Sequence, residues 1–118
     1  MKHPIRATKA DRERFDALQR IGCICCRERM VYSQPDVHHL LSGGRQIGHQ
    51  HTIPLCAWHH RSVPQNGLNT GQMQALLGPS LALTPRRFRQ AFGDDGLLLK
   101  LTNRLIARAA WKRPVGEE

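Results

Sequence analysis

Two pairs of possible metal ligands have the spacing that a tetrahedral metal site requires. Cys23 and Cys26 form the first pair, and Cys56 and His59 form the second, with 29 residues between the pairs. Two ligands three positions apart can bind one ion together, and two such pairs complete the tetrahedron that zinc prefers. The pattern therefore predicts one structural zinc ion. Both His59 and His60 would lie one helical turn from Cys56, so the spacing leaves open which histidine is the fourth ligand.

More histidines are present than one structural zinc site can use. Six of the seven histidines fall between His38 and His60. The doublet His38-His39 is expected on a strand, where adjacent side chains point to opposite faces. One ring is therefore expected to bind a metal ion and the other to contact the water that the ion activates. Cys25 does not have the spacing of a ligand relative to Cys26 and is predicted to be a packed or weakly exposed thiol, not a ligand.

Local sequence signals predict the elements that position these residues. A first helix is expected over 8–21, capped by Thr8 and ended by Gly22. The other expected elements are strands over 30–32 and 37–41 with Pro35 between them, a flexible turn at 42–44, an extended segment over 51–55, a short helix from Cys56 to near Pro64, and helices over 71–77, 84–92 and 95–111. Thr84 is predicted to cap its helix, with Pro85 in the first position.

These elements predict an α+β fold, in which strands and a short helix surround the metal and further helices wrap them. At 118 residues the chain is expected to form one domain over 1–118. Its parts would be a basic N-terminal helix over 1–20, a metal-binding core over 21–64 and a basic helical part over 65–113.

Charge and composition favour a nucleic-acid partner. Eighteen Lys and Arg residues against nine acidic residues give a net charge of +9, and the excess lies in the segments on either side of residues 21–60. Such an excess points to a polyanion, most often nucleic acid. No apolar run is long enough for a membrane span and the N-terminus lacks a signal-peptide core, so a reducing cytoplasm is expected. The four cysteines are then expected to be thiols or ligands, not disulfides.

The motifs together resemble those of the HNH, or ββα-metal, nuclease family. The resemblance rests on the doublet within 37–40, the Gly43-Gly44 turn and the segment 51–60. More narrowly, residues 22–26, 38–49 and 52–61 look like the phage recombination-enhancement (Ref) family of RecA-dependent nucleases, and 78–80 and 92–95 fit it as well. The similarity covers about residues 20–105.

The resemblance implies a role for each histidine. In the family the second histidine of the doublet, here His39, is the general base that deprotonates a water molecule for attack on phosphorus. His38 and His60 would hold one divalent ion, which stabilises the phosphorane charge and the leaving oxygen. Mg²⁺ or Mn²⁺ is expected for this ion, and Zn²⁺ is the alternative. The resemblance also implies that the structural zinc is held by Cys23, Cys26, Cys56 and His59.

One position departs from the family pattern. The Asn that usually lies five residues before the cysteine is replaced by His51, which would orient the base or add a metal ligand. His49 competes with it as a third ligand of the catalytic ion.

Arginines outside the metal-binding core are the expected contacts to phosphate. Arg61 directly follows the metal histidines, and the densest basic run is formed by Arg86, Arg87 and Arg89. The partner is therefore expected to be DNA, and the resemblance adds RecA filaments and a bacterial host cell. No membrane partner is expected, and the sequence leaves the oligomeric state open.

Two other functions are compatible with part of the pattern. A zinc-structured nucleic-acid-binding module without catalysis would need the zinc pairs and the charge, but it would have no use for His38, His39 and His60. A metal-storage or redox protein would not need the strong positive charge. The expected function is therefore that of a metal-dependent DNA endonuclease in recombination or repair.

Overall fold

A computed structural model describes residues 6–111 of the chain. Within them lie five α-helices and two small antiparallel sheets, which confirms the expected α+β class. The helices are α1 (Lys9–Ile21), α2 (Ala57–Arg61), α3 (Thr70–Leu77), α4 (Pro85–Phe92) and α5 (Asp95–Trp111), and the strands are β1 (Pro35–His39), β2 (Leu41–Ser42), β3 (Arg45–Gln46) and β4 (Thr52–Cys56). Of the expected N-terminal and C-terminal parts, residues 1–5 and 112–113 lie outside the described residues.

Helix α1 begins and ends where local signals predict. The Thr8 hydroxyl accepts a hydrogen bond from the Asp11 backbone N–H at 3.1 Å, and the Thr8 N–H donates to the Asp11 carboxylate at 2.9 Å. This reciprocal capping box satisfies donors that the first turn leaves without helical partners. At the other end Gly22 has φ 79°, which glycine adopts at little cost, so the helix ends there.

Strands β1 and β4 form the antiparallel pair at the centre of the molecule. His38 lies opposite Ile53 and His39 lies opposite Thr52. Every residue of β4 is buried, whereas β1 is only partly buried after Pro35. The histidine doublet therefore lies on the more exposed strand of the pair.

A tight hairpin follows the histidine doublet, with its turn inside the expected range 42–44. Strands β2 and β3 pair through Ser42 and Arg45, and Gly43 and Gly44 between them have φ 59° and 79°. Two consecutive residues with positive φ match the twist of the flanking strands, which explains the two glycines.

The expected strand over 30–32 is wrong. Met30 has φ 58° and ends a 3-10 turn over Cys26–Arg29, and its side chain is 95% exposed. The partner of β1 is instead β4, because Ile53 and Leu55 are buried there and a strand without buried side chains gains little from pairing. Pro35 begins β1 and does not lie between two strands.

Two other element ends also differ from expectation. Helix α2 ends at Arg61, three residues before Pro64, because Ser62 takes a left-handed conformation with φ 62°. Pro85 occupies the first turn of α4 as predicted, but Thr84 does not cap the helix. Its hydroxyl donates to the Ser80 carbonyl at 3.3 Å.

The core joins the strand pair to the helices. Leu18, Ile53, Leu55, Trp58 and Phe88 are among the largest fully buried side chains. The Trp58 indole N–H donates to the Gly78 carbonyl at 3.0 Å, so its polar atom is satisfied within the core. Across the described part of the chain, no helix combines the length and the apolar character that crossing a bilayer would demand.

Candidate metal centre and active site

Cys23, Cys26, Cys56 and His59 come together as one buried cluster. Their ligand atoms all lie within 4.8 Å of one another. The His59 Nδ1 atom lies 3.4, 3.6 and 3.3 Å from the sulfurs of Cys23, Cys26 and Cys56, and the sulfurs of Cys26 and Cys56 are 3.8 Å apart. Around a tetrahedral zinc, bond lengths near 2.0 and 2.3 Å give N–S and S–S separations of about 3.5 and 3.8 Å. The four residues therefore fit a zinc ion.

Helix α2 determines that His59, and not His60, joins the three cysteines. Cys56 precedes the helix and its sulfur accepts from the His59 backbone N–H at 3.5 Å, which places the His59 ring one turn away over the same centre. The other ring nitrogen, Nε2, donates to the Leu77 carbonyl at 2.8 Å, so Nδ1 is the nitrogen left for a metal. Cys25 is buried beside the cluster but is not one of its four members.

The electrostatics of this cluster favour a bound cation. The pKa of Cys23 is raised by the neighbouring Cys25 thiol, and the pKa of Cys26 is raised by Cys23, whereas the pKa of Cys56 is lowered by hydrogen bonds from Cys23 and Cys26. Burial alone would lower the pKa of His59, but Cys26 and Cys56 raise it to about 9. Close thiols cannot all ionise without positive charge beside them, and a divalent ion supplies that charge.

A second pair of ring nitrogens lies at metal spacing outside this cluster. His38 Nδ1 and His60 Nε2 are 3.1 Å apart. Two ligands bound to one ion at about 2.1 Å are separated by about 3.0 Å at an octahedral angle and about 3.4 Å at a tetrahedral one. Burial and the neighbouring His60 lower the pKa of His38 to about 4, so its lone pair is available near neutral pH. The two histidines can hold one divalent ion together.

Asp36 is part of this site, and sequence reasoning missed it. Its Oδ2 atom accepts from His60 Nδ1 at 2.9 Å, which leaves His60 Nε2 facing His38. A carboxylate behind a metal-binding histidine fixes the ring and its tautomer. Asp36 lies two positions before His38 on β1 and therefore shares its face. The alternation of side-chain direction along a strand is the sequence signal that could have identified Asp36.

Arg61 contacts the same carboxylate. Its Nε atom donates to Asp36 Oδ2 at 2.7 Å, and about half of its side chain remains exposed. Burial alone would raise the pKa of Asp36, but Arg61 and His60 hold it below its usual value. The guanidinium thus lies next to the His38–His60 pair, where it both keeps Asp36 ionised and remains accessible from solvent.

His39 faces a different partner from His38, as expected for neighbours on a strand. Its Nε2 atom lies 2.9 Å from His49 Nδ1. The edge-to-face contacts of Phe15 with both rings, at centroid distances of 6.3 and 5.5 Å, hold the pair against α1. Burial and then His49 lower the pKa of His39. His49 therefore contacts the expected base, while the His51 backbone carbonyl accepts from the Leu40 N–H at 2.9 Å.

A buried arginine holds the loop that carries His49. Arg14 is only 8% exposed, and its Nε and Nη2 atoms donate to the Thr52 hydroxyl and carbonyl at 2.8 and 2.6 Å. The Thr52 hydroxyl in turn donates to the His49 carbonyl at 2.9 Å. The remaining Arg14 nitrogen, Nη1, donates to Asn103 Oδ1 on α5 at 2.8 Å. This Arg14–Thr52–His49 chain ties the histidine loop to two helices.

The basic run on α4 faces solvent. Arg86, Arg87 and Arg89 are exposed, whereas Phe88 and Phe92 on the same helix are buried. The Phe92 ring packs edge-to-face on His59 at a centroid distance of 5.1 Å. Packing of Phe92 on the Cys₃His cluster therefore leaves the three arginines of α4 facing outward.

The Cys₃His cluster and the two histidine pairs all lie within the part of the chain that matches a known protein family. The family model described as recombination enhancement, RecA-dependent nuclease matches residues 7–107, a range that contains the Cys₃His cluster and both histidine pairs. A comparison with curated proteins gave no match.

Proposed function

Because the chain belongs to the recombination-enhancement family of RecA-dependent nucleases, we propose that it is an HNH-type, metal-dependent endodeoxyribonuclease. The family supports DNA as substrate and a RecA-dependent role. The finer proposal is carried by the His38–His60 pair, whose ring nitrogens lie at metal-ligand spacing. His39, the next residue on β1, pairs with His49. A module that only binds DNA has no use for this arrangement. We also propose that residues 1–118 form one nuclease domain around the core at 21–64.

In this proposal, His38 and His60 hold one divalent ion, Mg²⁺ or Mn²⁺ or alternatively Zn²⁺. When bound, such an ion stabilises the charge that develops on the phosphoryl oxygens and on the leaving oxygen. Asp36 orients His60 for this role, and Arg61, which shares the Asp36 carboxylate with His60, would contact an adjacent phosphate. Two histidines leave room for water and substrate oxygens in the coordination shell.

His39 acts as the general base in this proposal. Its lowered pKa keeps the ring neutral at neutral pH, so it can accept a proton from the attacking water. The hydrogen bond with His49 and the contact with Phe15 fix the orientation of the ring. His49 is therefore proposed to position the base and not to serve as the third ligand of the ion held by His38 and His60.

The Cys₃His cluster is proposed to hold a structural zinc. All four residues are buried, and a tetrahedral set of three thiolates and one imidazole has no open position for substrate. By holding β4, α2 and the turn after Cys23 around one centre, the ion would keep His60 in place at the end of α2.

Loss of a catalytic metal ligand is expected to be partly reversible by metal. His60→Ala should lower the affinity for the divalent ion by at least the ~10–100-fold that loss of a residue behind a metal ligand typically costs, because it removes the ligand itself. Activity should be lost at low Mn²⁺ and partly return as Mn²⁺ is raised, which a nicking assay on supercoiled plasmid measures. Asp36→Asn should also raise the Mn²⁺ concentration needed for activity, but less than His60→Ala does. Full activity of His60→Ala at low Mn²⁺ would contradict its role as a ligand.

The arginines of α4 are expected to set DNA affinity. Charge reversal at Arg86, Arg87 and Arg89 should weaken DNA binding and flatten its salt dependence. Each lost phosphate contact removes about 0.9 from the slope of log affinity against log salt concentration. Fluorescence anisotropy over a salt series measures this slope. Reversal of the exposed Lys100 on α5 is the control, and an unchanged slope in the triple variant would show that α4 faces away from DNA.

One assay separates this proposal from the zinc-structured binding module. Purified protein is incubated with DNA and Mg²⁺ or Mn²⁺, with and without RecA filaments. Strand cleavage in either condition supports the nuclease, and a requirement for filaments supports RecA dependence. DNA binding without cleavage under every metal and filament condition would favour the binding module.

A further inference from the structure

A groove of about 330 Å³ lies between the 3-10 turn and helix α5. Apolar side chains line most of it, among them Ile24, Phe92, Leu98 and Leu105. Neither histidine pair contributes to the lining, and Cys25 borders it from the side of the zinc cluster. The groove is therefore a surface separate from the proposed catalytic site.

One face of α5 is turned toward this groove. Leu101, Arg104, Leu105 and Arg108 all line it, at the spacings i, i+3, i+4 and i+7 that bring side chains onto one helical face. Asn103 lies on another face, where it accepts from Arg14 of α1. Leu101 and Leu105 are only half-buried, so apolar surface on this face remains in contact with water. An occupant of the groove would remove that surface from water.

The rim of the groove is strongly basic. Arg27, Arg104 and Arg108 border it, and Glu28 is the only acidic residue that the described part of the chain contributes to its lining. Arg27 Nη1 donates to the Ile21 carbonyl at 3.1 Å, which restrains the arginine side chain at the edge of the groove. Guanidinium groups bind carboxylates with paired hydrogen bonds. The rim therefore favours an acidic occupant.

The apolar floor distinguishes a protein occupant from DNA. A phosphate backbone would use the three arginines but would leave the leucine face exposed, since phosphate contacts need no apolar surface. An acidic peptide with one large apolar side chain satisfies both features at once. Its carboxylates would meet the rim, and its apolar side chain would fill the space over Leu101 and Leu105.

We propose that this groove docks an acidic segment of the RecA filament that inserts one large apolar side chain. The proposal rests on the proposed function, because the RecA dependence of the family supplies the partner. Docking here would leave the α4 arginines and both histidine pairs available for DNA.

The test measures binding to RecA filaments assembled on single-stranded DNA, by interferometry, in a His39→Ala background that prevents strand cutting. Leu105→Glu and Arg108→Glu are expected to weaken filament binding by about tenfold each, the size typical of a central contact. Leu105→Glu should change the affinity for naked DNA by no more than Lys100→Glu does. Lys100→Glu, which makes an exposed charge reversal on α5 outside the groove, should bind filaments like the parent. Circular dichroism and zinc content confirm that each variant folds.

Three outcomes would overturn the proposal. The first is filament binding by Leu105→Glu and Arg108→Glu at the level of the parent. The second is an equal loss of naked-DNA and filament binding in Arg108→Glu together with normal filament binding in Leu105→Glu, which would make the rim a DNA contact. The third is a parent that does not bind filaments. Failure of the nuclease proposal appears separately, as absence of cleavage by the protein with His39 intact.

Discussion

His39→Ala is expected to lose nearly all cleavage while it folds, retains zinc and binds DNA. General-base catalysis is typically worth about 10²–10⁴-fold, and the His38–His60 pair cannot replace it if it is occupied by the metal. The loss should appear in kcat and not in KM, because the ring acts on the attacking water and not on DNA affinity. Cleavage by the variant and the parent at saturating Mn²⁺ measures the effect.

Metal rescue separates the base from the ligands. Excess Mn²⁺ should not restore His39→Ala, whereas it should partly restore His60→Ala. Thr52→Val removes the hydroxyl that links Arg14 to the His49 carbonyl and should give a smaller loss in kcat, which Thr52→Ser should largely avoid. Normal cleavage by His39→Ala, together with an inactive His38→Ala that metal does not rescue, would show that the two roles are exchanged.

Removal of the structural zinc is expected to unfold most of the protein. Binding of zinc to a site of this kind is worth about 10–16 kcal/mol in small metal-binding peptides, whereas a whole domain is stable by only about 5–15 kcal/mol. Cys26→Ser should therefore lower the melting temperature sharply and release the metal. Elemental analysis and thermal unfolding followed by circular dichroism measure both effects.

Cys25→Ser provides a matched control for the zinc prediction. It makes the same chemical change one residue away, at a buried thiol outside the four-residue cluster. It should keep one zinc per chain and lose much less stability than Cys26→Ser. The prediction is wrong if protein purified without chelator contains no zinc, or if Cys26→Ser melts like the parent.

The sequence alone determined the features that depend on neighbours along the chain. The cap at Thr8, the end of α1 at Gly22, and the beginning and end of α4 at Pro85 and Gly93 are local interactions, so they could be predicted and were confirmed. The two ligand pairs and the opposite directions of His38 and His39 follow from helix and strand periodicity. These features were enough to indicate the α+β class and a metal site.

Tertiary structure decided which residues meet across the chain. It paired β1 with β4 and not with 30–32, because burial of Ile53 and Leu55 stabilises that pairing and no local signal reports it. It also placed His59 in the Cys₃His cluster and turned His60 toward His38 and Asp36, although both histidines lie one turn from Cys56.

The contacts around His39 are the part of the site that the sequence could least predict. His49 and Thr52 are close in sequence, but Arg14 and Phe15 reach them from a helix more than thirty residues earlier. Spacing along the chain contains no information about such a contact, since packing of α1 against the strand pair creates it. The sequence could therefore nominate the histidines, whereas the fold decided that His38 and His60 lie at metal-ligand spacing and that His49 contacts the proposed base.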